Sequence, residues 1–219
     1  KSLEAWGAFI AEFARFLIDR YGIAEVVKWP FEVWNEPNLG FFWTGTQADY
    51  FQLYKASATA LKSVDPRLQV GGPASSGTAW IPEFLAFCAA ENVPVDFVST
   101  HSYAGDNQKA VFGEGVQLPI SEVIPAAVRR AKAAIRASAF PTIPLYLNEW
   151  SSDSPAMMAH CRKVRFIRAD SASHASRSSP SMSWSNSCAS ERSPRRIRNA
   201  TSPRPHTVVG WWSIAYTSS

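Results

Sequence analysis

The stretch KWPFEVWNEPNLGFFW, residues 28–43, decides how the chain is read. A short β-branched and aromatic run, FEVW, leads to Pro37, a residue that cannot sit inside a central strand. Two glutamates, Glu32 and Glu36, share this run, which otherwise looks buried. A buried carboxylate is costly unless it is paired or used chemically. Strand alternation places Phe31, Val33 and Asn35 on one face and Glu32, Trp34 and Glu36 on the other. Glu36 ends the strand beside a loop. Glu32 lies deeper and is expected to pair with a basic group.

Working outward, AWGAFIAEFARFLIDRYG (residues 5–22) has apolar residues at Trp6, Phe9, Ile10, Phe13, Phe16 and Leu17, which is helical spacing ended by Gly22. TQADYFQLYKASATALKSVDP (46–66) predicts a second amphipathic helix, with Thr46 as N-cap and Asp65-Pro66 as its end. LQVGGPA, VDFVSTHSY and IPLYLNEW (143–150) look like strands. TAWIPEFLAFCAAEN and residues 121–137 look like helices. Strands alternating with helices of this length imply βαβ units and a parallel sheet. Four strands and four helices make half of an eight-stranded (β/α) barrel or a small open sheet, and length does not separate the two.

After residue 152 this pattern stops. Residues 1–150 hold 12 Lys+Arg against 15 Asp+Glu, whereas residues 151–219 hold 10 against 3, with 18 Ser and 9 Arg. The overall charge of +4 therefore belongs to the tail. Two domains are expected: a partial barrel over 1–152 and a Ser/Arg-rich low-complexity tail over 153–219. The tail is disordered or is the product of a shifted reading frame, and no strand period survives in it until VVGWWSIAY. It lacks the interleaved aromatics of a nucleic-acid platform, so no nucleic-acid partner is expected. No apolar run is long enough to span a membrane. Cys88, Cys161 and Cys188 have neither disulfide nor metal-ligand spacing. No signal peptide is visible, and a chain beginning at Lys1 is expected to lack its true N-terminus, so the compartment stays unassigned.

Chemistry concentrates at strand ends: Asn35-Glu36, Thr100-His101 and Asn148-Glu149. In a (β/α) barrel those ends form one rim. Two carboxyl groups facing one cleft can cleave a glycosidic bond, one protonating the leaving oxygen while the other attacks or activates water. A metal site ranks lower, because no His or Asp stands at ligand spacing beside either glutamate; neither a metal nor a cofactor is expected.

WNEPN at 34–38 resembles the acid/base motif of the large clan of retaining (β/α)8 glycosidases. FEVWNEPNLGFFWTGTQADYFQLYKASATALKSVDPRLQVGGPA, then DFVSTHSY and LYLNEWSS, is similar to glycoside hydrolase family 39, whose members include β-xylosidases and α-L-iduronidases. The likeness runs through residues 1–152. It implies that strands four to seven of a (β/α)8 barrel are present, that Glu36 is the general acid/base and that Glu149 is the nucleophile. It also matches Asn35 to an asparagine that bonds the sugar 2-hydroxyl. An acid needs a raised pKa, which Trp34, Phe41, Phe42 and Trp43 would favour as an apolar surround. A nucleophile needs donors, and His101 and Tyr103 are candidates. Trp43 and Trp150 are sugar platforms or loop packing. The resemblance implies a retaining β-xylosidase acting on non-reducing ends of xylo-oligosaccharides, with an oligosaccharide or glycoside as partner. The alternatives are an α-L-iduronidase-like enzyme and an inactive truncated fragment.

Overall fold

The computed structural model describes residues 2–151, together with the backbone of two short strands at 167–168 and 212–214. Helix α1 (Leu3–Tyr21) leads through a short α2 (Ile23–Val26) into β1 (Pro30–Val33). Then come α3 (Gln47–Val64), β2 (Gln69–Ser76), α4 (Ile81–Ala90), β3 (Phe97–Tyr103), α5 (Gln108–Phe112), α6 (Ile120–Ala137) and β4 (Leu145–Ser151). Strands β1 to β4 pair in parallel and in chain order, giving the α/β half-barrel expected from the sequence. β5 (Ile167–Arg168) adds antiparallel to β4, and β6 (Trp212–Ile214), inside VVGWWSIAY, adds parallel to β1. The sequence pattern gave no sign of β5. The remaining tail positions lie outside the described residues, as do Cys161 and Cys188.

The helices begin where their caps dictate. The Ser2 hydroxyl accepts from the Ala5 N–H at 3.2 Å to start α1, and Gly22, with φ 81°, ends it. Thr46 and Asp49 form a reciprocal capping box on α3. The buried stripe of α1 is narrower than its apolar spacing implied: Trp6, Ile10, Ala14 and Leu17 face inward, while Phe9 and Phe16 are 55% and 58% exposed. Helical periodicity marks which residues share a side; it does not say how much of that side meets a neighbour. α1 is locked to α3 by a buried relay, Trp6 Nε1 donating to Ser57 Oγ and Ser57 Oγ donating to the Leu53 carbonyl, both at 2.8 Å.

The main apolar core lies between the helices and one sheet face, with Phe31, Val33, Val70, Val98, Tyr50, Tyr54, Phe84 and Leu85 fully buried in it. The opposite face carries the polar residues. In register, Glu32 stands beside Gly71 and Gly71 beside Phe97. A Cβ on Gly71 would come within 2.4 Å of the Phe97 ring and carbonyl, so only glycine fits between them.

Tyr50, fully buried on α3, ties the end of β1 to the middle of β2. Its hydroxyl lies 3.0 Å from both the Val33 and the Pro73 carbonyls. Tyr50→Phe leaves these buried acceptors without their donor, and we expect a loss of about 1–3 kcal/mol, read as a lower urea midpoint. An unchanged midpoint would show that the hydroxyl is not a strut.

Candidate active site

Glu36 does not continue the strand. β1 ends at Val33, and the backbone enters the left-handed region at Trp34 (φ 72°) and again at Glu36 (φ 44°). Such conformations cost a non-glycine residue about 1–3 kcal/mol and persist only where the surroundings hold them. The surroundings here are β2. The Glu36 N–H donates to the Ala74 carbonyl at 2.8 Å. The Asn38 amide clasps Ser76 twice, accepting from its N–H at 2.8 Å and donating to its carbonyl at 3.1 Å. The simple alternation expected through residues 31–36 is therefore corrected: Trp34 turns away to pack edge-on against Trp43 and donates its indole N–H to the Phe42 carbonyl. Asn38 was not singled out by sequence; the second asparagine of NEPN was its only signal.

Glu149 is re-aimed by a different device. Thr100 pairs with Leu147 but His101 pairs with Glu149, so Asn148 is one extra residue in β4. Regular pleating would send consecutive side chains to opposite faces; a bulge removes that restriction. Asn148 reaches Glu32 across the concave face, and Glu149 reaches Tyr103 and His101.

His101 is fully buried between the two candidate carboxylates. Its Nδ1 lies 3.0 Å from Glu36 Oε1 and 3.4 Å from Glu149 Oε2. The Tyr103 hydroxyl donates to Glu149 Oε2 at 2.7 Å. Glu36, His101 and Glu149 each present one donor atom within 4.8 Å of the other two. A divalent cation is geometrically possible at such a trio. Sequence spacing gave no hint of it, because folding alone brings His101 between glutamates 113 positions apart.

The remaining candidates are placed differently. Asn35 is half-buried on the turn between Trp34 and Glu36. Trp43 is engaged in packing: its rings meet Trp34 and Tyr50 edge-on, and its N–H donates to the Thr46 carbonyl at 2.9 Å. Trp150 pairs with Ser102, one residue after Glu149, so regular pleating turns it to the other face. Phe41, expected beside the acid, is 90% exposed and meets the Phe42 ring edge-on. Glu32 is corrected too. No Lys or Arg ion pair reaches it among the described residues; both its oxygens accept instead from Asn148 Nδ2, at 2.9 and 2.8 Å.

Electrostatics follow from burial. Burial pushes the Glu32 carboxyl up, against the pull of His101 and of the Ser99 and Asn148 side chains. Burial and the Glu149 bond push the Tyr103 phenol up, so it remains a donor at neutral pH. At His101 burial disfavours the imidazolium, but the Glu36 hydrogen bond and the charges of Glu149, Glu32 and Glu36 outweigh it, and the net shift is upward. Outside the cluster, burial alone drives the Cys88 thiol up to about 12, as befits an inert core residue.

A folded-state value above the unfolded one means that the folded chain holds the His101 proton more tightly. That contribution is complete below the unfolded value and is lost as pH rises through the folded one. We expect NMR titration of His101 to give a midpoint above 6.5, moving down in Glu36→Gln. A midpoint at or below 6.5 would contradict this balance of charges.

Comparison with known proteins places this chain in a family. The family model "Glycosyl hydrolases family 39" matches residues 1–183. A β-xylosidase of Caldicellulosiruptor saccharolyticus is 48% identical over 71% of this chain and 32% of its own length. One from Geobacillus stearothermophilus is 44% identical over 73% and 33%. The crystal structure of a monomeric β-xylosidase from Caulobacter crescentus superposes with a TM-score of 0.63 at 46% identity, over 70% of this chain and 32% of that one. The chain thus spans about a third of the length of the relatives it matches. No helix among the described residues is long and apolar enough to cross a membrane. The chain belongs to glycosyl hydrolase family 39.

Proposed function

We propose that this chain carries the catalytic pair of a retaining glycoside hydrolase, with Glu36 as general acid/base and Glu149 as nucleophile. The observation that supports this most is separation. Retaining enzymes hold their two carboxyls about 5–5.5 Å apart, whereas inverting enzymes need roughly 6.5–9.5 Å to admit a water. Oxygens of Glu36 and Glu149 lie within 4.8 Å of one another, on the retaining side of that division.

The hydrogen bonds divide the labour between oxygens. His101 occupies Glu36 Oε1, so the proton for the leaving oxygen is carried on Oε2. Tyr103 and His101 both address Glu149 Oε2, so Oε1 attacks the anomeric carbon. Attack expels the leaving group, which takes its proton from Glu36, and leaves a glycosyl ester on Glu149. Glu36 then removes a proton from water, and the water's attack releases sugar of unchanged configuration. Asn35 is assigned to the sugar 2-hydroxyl.

For the substrate we favour β-xylosides, taken from non-reducing ends of xylo-oligosaccharides, because relatives at 44–48% identity are named β-xylosidases. α-L-Iduronidases match at 37–38% over only 73–78 residues. Recognition of a uronate needs a cation near the cluster, and His101 is the only base ion-paired with either glutamate among the described residues.

On an aryl β-xyloside, NMR should show β-xylose forming first; α-xylose first would overturn retention. Glu149→Ala should lower kcat by about 10⁴-fold or more, and azide should restore turnover as the α-glycosyl azide. Undiminished activity in Glu149→Ala would remove it as nucleophile. Exhaustive dialysis against EDTA should leave the rate unchanged; its loss would move Glu36, His101 and Glu149 to a metal centre. An aryl iduronide cleaved in preference would reassign the substrate, and hydrolysis of neither would make the chain an inactive fragment.

A further inference from the structure

Glu32 and Asn148 stand on β1 and β4, with β3 and β2 between them in the sheet. Their contact therefore does not run along a ladder; it spans the sheet face as a chord from β1 to β4. Its ends are significant: Glu32 precedes Glu36 by four residues on one candidate catalytic strand, and Asn148 immediately precedes Glu149 on the other.

Three observations give it weight. Glu32 is 4% exposed with no Lys or Arg ion pair among the described residues, and the Asn148 amide bonds both its oxygens. Asn148 is the extra residue of the bulge and directly precedes Glu149, which bonds Tyr103 and lies 3.4 Å from His101. Asn148 Oδ1 is buried without a hydrogen-bond partner among the described residues, although Nδ2 serves both Glu32 oxygens. Buried polar atoms are usually satisfied, so an amide that leaves its own oxygen unpartnered is oriented by a strong demand on its nitrogen. A carboxylate makes that demand.

We propose that Glu32 is a positioning residue: through Asn148 it fixes the β4 bulge and so sets the separation of Glu36 and Glu149. This rests on the retaining-glycosidase reading above. Glu32 touches neither sugar nor reacting atoms, and its effect is on the rate of the bound complex. A displacement of about 1 Å at a reacting group costs roughly a hundredfold.

The test exchanges donor and acceptor in the full chain. Asn148→Asp sets carboxylate against carboxylate, and Asn148→Ala removes the tie without adding charge, which covers the case that the aspartate variant does not fold. The double variant Glu32→Gln with Asn148→Asp rebuilds an amide–carboxylate pair in the opposite sense. With rates on an aryl β-xyloside normalised to folded protein, Asn148→Asp should lose about a hundredfold in kcat with KM within about twofold. Asn148→Ala should lose about tenfold, and the double variant should regain at least about tenfold over Asn148→Asp. Single variants within twofold of wild type, or a double variant no faster than Asn148→Asp, would overturn the proposal while leaving the glycosidase reading intact. A wild-type chain that cleaves no glycoside would overturn both.

Discussion

Three acidic side chains share one concave surface around a single fully buried histidine, and the rest of the site follows from that crowding. Glu32 and Glu36 are buried and Glu149 half-buried, each needing a hydrogen-bond partner to remain there. His101 answers two of them directly, at 3.0 and 3.4 Å, and the third through space. Its own proton affinity rises because the negative charges around it outweigh its burial. The arrangement places a positive or proton-sharing group between two carboxylates that would otherwise repel each other.

Such crowding cannot be reached by regular strands alone. Each carboxylate arrives by a local departure from regularity: left-handed backbone at Trp34 and Glu36, and an extra residue at Asn148. A third irregularity sits at Ala74, with φ 56° and a register slip between Pro73 and Ser75, and its carbonyl receives the Glu36 N–H. These departures are held by ordinary means. Tyr50 props the end of β1 and the middle of β2, Asn38 clasps Ser76, and Gly71 leaves space for Phe97. Strain at the rim is offset by a well-packed layer of helices beneath it.

Much of this was legible in the residues themselves. Alternating strands and helices gave the parallel half-barrel, and the repeated Asn-Glu at two strand ends gave Glu36 and Glu149. Their placement with His101 and Tyr103 followed from chain order in a parallel sheet. What could not be read depends on departures from periodicity. A period-two pattern assigns faces only while the strand continues, so it placed Trp34 beside Glu36 when the chain had already turned. The cost of burying Glu32 likewise suggested a basic partner, where the bulge at Asn148 in β4 supplies an amide. Helical spacing overstated the buried face of α1, because burial depends on what packs against Phe9 and Phe16 rather than on their phase.

The central claim is that Glu149 attacks the sugar while Glu36 manages the proton. Incubation of the chain with a 2-deoxy-2-fluoro-β-xylosyl fluoride, followed by protease digestion and mass spectrometry, tests it most directly. The fluorine slows turnover of the covalent ester enough for it to be located. The account predicts a single labelled peptide with the ester on Glu149. A label on Glu36 or Glu32, or hydrolysis of the reagent without any covalent adduct, would contradict it.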